Sequence, residues 1–309
     1  MLKLGQTLQG RLGSYVLASK LQETVWKATS QQSPQPVIVK YARHWRIRNE
    51  RDMLLRFQDQ TPHLRRLLDE VDFDGDPDTT ALILQYLDRD SLSVCNRRRL
   101  TRAEIKFVAQ GVLLALDVLH EDGFVHTDVK PSNILVDLDP DSDRITNVQL
   151  ADLESTVPQD SKYAIEGDPI GTSMFRSPEA ALQMRWGQPT DVWSFGTTMI
   201  SLIYGDGFHI FKPDVPVDHD EYEAKVLIRQ HEFFGPFPAS YAEIANGEQL
   251  EVLTWIMNKT PREALKPFRN ISPRELTAED KSFLLKIMRL DPRDRPTVKD
   301  LLADEWFRF

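Results

Sequence analysis

The alternation of apolar and polar positions divides the chain into a strand-rich first part and a helix-rich remainder. Three short β-prone runs lie at residues 15–18, 24–28 and 36–41, and Ser30, Ser33 and Pro34 mark a turn between the last two. Short runs of β-branched and aromatic residues bounded by such punctuation predict strands. A helix is predicted at about residues 46–58. Met53, Leu54 and Phe57 line one face, and Glu50 projects from the same element. Runs at 71–73 and 81–86 predict a hairpin around Asp74-Gly75-Asp76-Pro77-Asp78. Five strands and one helix make a small α+β unit ending near Leu87.

Beyond that point the period is helical. Thr101 with Glu104 three residues later is a capping box. Ile105, Val108, Val112, Leu116 and Leu119 then form a buried stripe, and Gly123 stops the helix. A polar turn follows, then a strand pair near 134–136 and 148–151 and a loop to about residue 178. Residues 191–204 are apolar nearly all round, which predicts a helix central to the core. Pro-rich loops and short helices are expected over 205–275, an amphipathic helix over 277–290, and a closing helix over 298–306.

At 309 residues the chain exceeds one compact core. Two units are therefore expected, residues 1–87 and 88–309. Hydrophobic residues make up 41% and charged residues 28%, as in soluble globular proteins. A net charge of −9 argues against a nucleic-acid partner and favours basic ones. Cys95 is the one cysteine, so no internal disulfide can form, which fits a reducing compartment. The first residues carry no long apolar run, so no signal peptide is expected. No run approaches the roughly 18 apolar residues of a membrane span, so no membrane partner is expected.

The candidate chemistry concentrates in His126-Thr127-Asp128-Val129-Lys130-Pro131-Ser132-Asn133-Ile134-Leu135. This polar turn lies between an apolar helix and a β-prone run, so it can aim a carboxylate, an ammonium and an amide at one spot. Asp128 can accept a hydroxyl proton, Lys130 can hold a phosphate, and the Asn133 amide oxygen can ligate Mg²⁺. The plainer alternative is a turn capped by Asp and Asn.

The H-x-D-x-K-x-x-N spacing resembles the catalytic loop of protein kinases. Five further motifs stand in the order that family requires. Val37-Ile38-Val39-Lys40 resembles the third-strand lysine motif, with Glu50 as its helix partner. Asp152-Leu153-Glu154 follows a β-prone run and stands where the metal-binding Asp-Phe-Gly triplet stands. Gly171-Thr172-Ser173-Met174-Phe175-Arg176-Ser177-Pro178-Glu179 resembles the end of the activation segment. Asp191-Val192-Trp193-Ser194-Phe195-Gly196 resembles the start of the central helix. Asp291-Pro292-Arg293-Asp294-Arg295-Pro296-Thr297 resembles the segment whose second arginine bridges to the activation-segment glutamate.

The chain therefore resembles a eukaryotic protein kinase over residues 15 to 307. The resemblance implies a two-lobed α+β fold, with a small β-rich N-lobe (1–87), a larger helical C-lobe (88–309), and ATP and Mg²⁺ between them. It implies that Asp128 orients the acceptor hydroxyl, Lys130 neutralises the transferring phosphoryl group, and Asn133 and Asp152 ligate Mg²⁺. Lys40, fixed by Glu50, would hold the α/β-phosphates. Adenine would pack on Val25, Ile38 and Leu135, residues that ordinary core packing explains equally well. Gln85-Tyr86-Leu87 would form the hinge, with Leu84 as gatekeeper. Thr172, seven residues before Glu179, implies serine/threonine specificity on a protein substrate. His-Thr-Asp in place of His-Arg-Asp resembles SR-protein kinases and their cyclin-dependent and MAP kinase relatives. The implied location is intracellular, cytoplasmic or nuclear.

Three departures bear on activity. The interval Ser19-Lys20-Leu21-Gln22-Glu23-Thr24 lacks glycine and is short for a loop that covers phosphates. Glu154 replaces glycine in the metal-binding triplet, where it could repel phosphate or help hold metal. Thr127 replaces an arginine that in many kinases receives an activation-loop phosphate, so loop phosphorylation is not expected to be the main switch. Three readings stay open: an active serine/threonine kinase, a pseudokinase serving as scaffold, and a small-molecule phosphotransferase of the same fold.

Overall fold

The computed structural model describes residues 2–30, 32–73 and 79–308. The expected turn at Asp74-Gly75-Asp76-Pro77-Asp78 lies outside the described residues. Packing divides the chain into two units. The first holds residues up to Asp90 together with Leu135–Thr156, and the second holds Ser91–Ile134 and the chain from Val157 onward. The expected division at 87/88 follows chain order alone, whereas the first unit also takes in the segment that ends at Thr156.

Among the described residues, the first unit is built on a six-stranded antiparallel sheet. Its strands are β1 (Thr7–Gln9), β2 (Ser14–Lys20), β3 (Val25–Ser30), β4 (Pro36–Ala42), β5 (Leu67–Asp72) and β6 (Thr80–Gln85), in the order β1-β2-β3-β4-β6-β5. Strand β1 was not anticipated; at three residues it is too short to show a period-2 pattern. Leu17, Ala28, Val37, Val39, Ala81 and Ile83 pack together on one side of the sheet. Helix α1 (Trp45–Phe57) packs on this sheet through Ile47, Leu54 and Phe57, which are all buried. It starts where the His44 side chain accepts the Arg46 N–H. The short strand β7 (Arg89–Asp90) ends the first stretch of this unit.

In the second unit, α2 (Ser91–Arg97) precedes α3 (Arg102–Glu121). Helix α3 begins with the expected capping box, in which Thr101 and Glu104 exchange bonds with each other's backbone N–H. It ends ahead of Gly123, whose φ of +79° is open to glycine at little cost. Strand β8 (Phe124–Val125) then leads to the polar turn. The chain returns to the first unit as β9 (Ile134–Leu138) and β10 (Ile145–Leu150), which pair with β7 in the order β10-β9-β7.

From Val157 the chain is mostly helical. After β11 (Val157–Pro158), paired with β8, come α4 (Lys162–Glu166), α5 (Pro178–Ala181) and α6 (Gln188–Tyr204). Helix α6 is buried from Thr190 to Leu202, as its all-round apolar pattern predicts. It is followed by α7 (Tyr222–Phe234), α8 (Gly247–Lys259), α9 (Ala278–Ile287) and α10 (Val298–Leu302). Helix α4 falls inside the stretch expected to be loop. It is a five-residue helix with Ser161 as its cap, and periodicity cannot register so short an element.

One buried ion pair fixes α5 in place. Arg295 donates to both Glu179 oxygens at 2.7 and 2.8 Å. It also donates to the carbonyls of Arg289, Pro189 and Leu290 at 2.8, 2.8 and 2.9 Å. All five guanidinium donors are thus matched, the condition under which burying a charge is tolerable. The same group lies over the Trp193 ring. Arg295→Ala leaves the Glu179 carboxylate buried and unpaired, so it is expected to destabilise the second unit by about 3–5 kcal/mol. Denaturant unfolding followed by tryptophan fluorescence measures this, and a change under about 1 kcal/mol would contradict it.

Candidate functional site

The second unit brings Asp128, Lys130, Asn133 and Thr172 together. Lys130 Nζ lies 2.6 Å from Asp128 Oδ2 and donates to Thr172 Oγ1 at 2.9 Å. The Thr172 hydroxyl donates to Asp128 Oδ1 at 3.1 Å. Asn133 Nδ2 donates to the Asp128 carbonyl at 2.9 Å and to Oδ2 at 3.1 Å. Because its amide nitrogen is held this way, the Asn133 amide oxygen faces the opposite direction, where it can accept or ligate. Asp128 and Lys130 stay partly open to solvent, with side-chain exposures of 17% and 22%.

What holds this turn is Asp191 at the start of α6, which is fully buried. Its Oδ2 accepts the His126 N–H at 2.8 Å, and its Oδ1 accepts the Thr127 N–H at 2.9 Å. His120 Nε2 lies 2.9 Å from Oδ2. Thr127 has a φ of 74°, a costly conformation for a β-branched residue. A left-handed threonine persists only where its surroundings over-determine it, and the bond from Asp191 does so. Gly171 packs against this peptide from the other side. Its φ is +59°, and a Cβ there would sit 2.5 Å from the Thr127 carbonyl oxygen. Glycine is therefore required on two counts.

The first unit brings Lys40, Glu50 and Asp152 together, and adds Glu154. Lys40 Nζ lies 2.7 Å from Glu50 Oε2, 2.6 Å from Asp152 Oδ1 and 2.9 Å from Glu154 Oε2. Lys40 comes from β4 and Glu50 from the buried face of α1. Asp152 opens a 3₁₀ turn, Leu153–Ser155, with a left-handed φ of 69°. Burial alone would lower the Lys40 pKa, but Glu50, Asp152 and Glu154 outweigh it and hold it raised. Burial pushes the Glu50 carboxyl up, against the pull of Lys40. Arg65, half-buried near the same carboxylates, has its pKa lowered to about 10, desolvation outweighing Glu50 and Asp152.

Two further contacts escape sequence reasoning. Asn49 on α1 donates through Nδ2 to the Glu154 carbonyl at 3.1 Å and to the Thr156 carbonyl at 2.8 Å. Helix α1 is thereby bound to the segment that carries Asp152 and Glu154. Arg46, one turn earlier, lies 4.0 Å from Glu154 Oε1. Nothing in the sequence pairs these residues, which are separated by more than a hundred positions.

The residues expected to hold adenine lie in the first unit. Val25 is half-buried and pairs with Lys40 across β3 and β4. Ile38 is buried and pairs with Leu84 across β4 and β6, and Leu135 is half-buried on β9. Leu87 is buried. Gln85 is already engaged: its N–H donates to the Arg66 carbonyl, and its own carbonyl accepts Arg65 Nε at 3.0 Å. One lone pair of that carbonyl is therefore spent inside the unit.

The hairpin between β2 and β3 turns through Leu21–Thr24, with the N–H groups of Leu21 and Gln22 both donating to the Val25 carbonyl. It is a tight turn closed on itself, as its lack of glycine and its length predict.

Comparison with known proteins places these features. The family model for the protein kinase domain matches residues 9–307. A calcium/calmodulin-dependent protein kinase of Metarhizium anisopliae is 31% identical over 260 residues, which cover 83% of this chain and 55% of that protein. An inactive serine/threonine-protein kinase of Mus musculus is 23% identical over 235 residues, 75% of this chain and 31% of that protein. A serine/threonine-protein kinase of Drosophila persimilis is 29% identical over 195 residues, 60% of this chain and 23% of that protein. The chain spans about half the length of the first of these relatives and less of the others.

The geometry around Asp191 sets a direct expectation. Asp191→Ala removes a charged acceptor from two buried N–H groups, each such bond contributing about 1.5–3 kcal/mol. Hydrogen exchange at the His126 and Thr127 amides should accelerate by roughly tenfold or more. Unchanged protection at both amides would show that the turn is held by other means.

Proposed function

The chain belongs to the protein kinase domain family, and on that premise we propose that it transfers the γ-phosphoryl group of ATP to serine or threonine hydroxyls of protein substrates. The observation that carries this reading is Thr172 bonded at once to Asp128 and Lys130. That arrangement gathers a proton acceptor and a cation, themselves in contact, around one hydroxyl.

In this reading Asp128 orients the acceptor hydroxyl and takes its proton as the oxygen–phosphorus bond forms. ADP leaves with the electrons of the broken phosphoanhydride bond. Lys130 offsets the charge of the transferring group, and Thr172 keeps both side chains in register. Lys40 holds the α/β-phosphates, and Glu50 fixes its ammonium. The Asn133 amide oxygen and the Asp152 carboxylate are oxygen donors suited to Mg²⁺, which would neutralise phosphate charge when bound. Val25, Ile38 and Leu135 offer apolar surface to the adenine, with Leu87 and the remaining lone pair of the Gln85 carbonyl at the hinge.

We further place the chain near SR-protein kinases in the group of cyclin-dependent and MAP kinases. His126-Thr127-Asp128 supports this, as does a stretch over 205–275 long enough for α7 and α8. The net charge of −9 favours basic protein substrates.

A second reading has its own observation. Lys40 is already engaged by three carboxylates, and the tight Leu21–Thr24 turn offers no glycine-lined cover for phosphates. Both features suit a pseudokinase that uses this fold as a scaffold.

Phosphotransfer from labelled ATP to basic serine/threonine peptides in the presence of Mg²⁺ separates the two readings. The kinase reading expects transfer that Asp128→Asn lowers by at least about 10²-fold. Thermal unfolding should rise by several degrees with Mg·ATP, a shift that Lys40→Met removes. No transfer and no shift at millimolar Mg·ATP would retire the kinase in favour of the scaffold.

A further inference from the structure

Glu154 stands in the site where it replaces glycine, and its surroundings are specific. Its carboxylate meets Lys40 at 2.9 Å through Oε2 and approaches Arg46 at 4.0 Å through Oε1. Its backbone is pinned by Asn49 at 3.1 Å, so the side chain is the part that can move. It lies within a 3₁₀ turn, a backbone open to any L-residue, so the glycine can be replaced without strain. The side chain is 29% exposed and reaches solvent.

The charges set the constraint. Glu50, Asp152 and Glu154 each offer an oxygen, all within 4.8 Å of one another. Facing them are Lys40, the half-buried Arg65 near Glu50 and Asp152, and the more exposed Arg46 beside Glu154. Glu154 therefore occupies on Lys40 a place that an incoming phosphate oxygen would take. A phosphate arriving alone meets an anion already on its cation, at short range and partly out of water, where repulsion is strong. A divalent cation resolves the conflict. Carboxylate oxygens are its preferred ligands, and Asp152 and Glu154 lie two residues apart on one turn.

We propose that Glu154 is a positioning residue that ties nucleotide binding to a divalent cation: on Lys40 it blocks phosphate, and beside Asp152 it helps hold the metal that admits phosphate. This rests on the reading that Lys40 holds nucleotide phosphates. The cation draws Glu154 off Lys40, Arg46 flanks its other oxygen, and Lys40 is released to the phosphates. Nucleotide without metal then binds poorly, and metal without nucleotide binds measurably.

The test uses binding alone. Mn²⁺ is titrated into the full chain without nucleotide and followed by its electron paramagnetic resonance signal, and ATP is titrated in EDTA by calorimetry. Wild type, Glu154→Gln and Glu154→Gly are compared, with circular dichroism confirming that each is folded. The glycine variant carries the test should the glutamine variant fail to fold. The expected result is Mn²⁺ binding to wild type that weakens at least tenfold in the variants, with metal-free ATP binding that tightens at least fivefold. Wild type that takes up no Mn²⁺ overturns the proposal. So do variants whose Mn²⁺ affinity stays within twofold of wild type, or whose metal-free ATP affinity does not rise. A protein that passes this test yet transfers no phosphate loses the kinase reading and keeps the cation-coupled site. One that phosphorylates substrate with Mn²⁺ affinity indifferent to Glu154 does the reverse.

Discussion

A single buried carboxylate, Asp191, is the constraint on which the turn carrying Asp128 depends. Two consecutive backbone N–H groups converge on it, those of His126 and Thr127, with the His120 ring alongside. The Thr127 peptide is thereby held in a conformation that threonine seldom adopts. Its carbonyl then lies against Gly171, the residue next to Thr172. Asp128 follows directly, with Lys130, Asn133 and Thr172 closing around its oxygens. The chain of cause runs from one helix start to one turn, and from that turn to the placement of four polar side chains. Because α6 is buried almost throughout its length, the carboxylate at its start cannot drift.

The two units solve the problem of holding charge differently. In the second, Arg295 and Glu179 are wholly withdrawn from water and fully matched, so their pair is rigid and structural. In the first, the ammonium of Lys40 faces more carboxylates than it can neutralise, and two of these, Asp152 and Glu154, remain about a third exposed. An over-supplied, half-open cluster can exchange partners, whereas a matched, dry one cannot. That contrast distinguishes an exchangeable ion cluster from an architectural one more clearly than distance does, since the separations are nearly equal.

Much of this was legible in the sequence because the signals are local. The Thr101–Glu104 cap, the stop at Gly123 and the all-round apolar α6 each depend on residues a few positions apart, and each forms where expected. The six motifs carry the family with them. Strand β1 and helices α2 and α4 went unseen because elements of three to seven residues show less than two periods of any pattern. The bonds of Asn49 to Glu154 and Thr156 were illegible for another reason. They join α1 to a segment more than a hundred residues on, and no propensity encodes a tertiary contact of that span. Likewise, the sequence marks Glu154 as a departure but does not reveal that it reaches Lys40. That depends on the 3₁₀ turn at Leu153–Ser155, which aims the side chain.

The tight turn at Leu21–Thr24 has a consequence for time as well as affinity. A long glycine-lined loop can close after a ligand arrives, and must open before it departs, so it slows exchange in both directions. A turn whose Leu21 and Gln22 N–H groups are spent on its own Val25 carbonyl has little slack to fold down. On the reading proposed above, an anion settling on Lys40 would gain no cover from this turn. Its residence time would then be set by the contacts beneath it, and not by the opening of a cover.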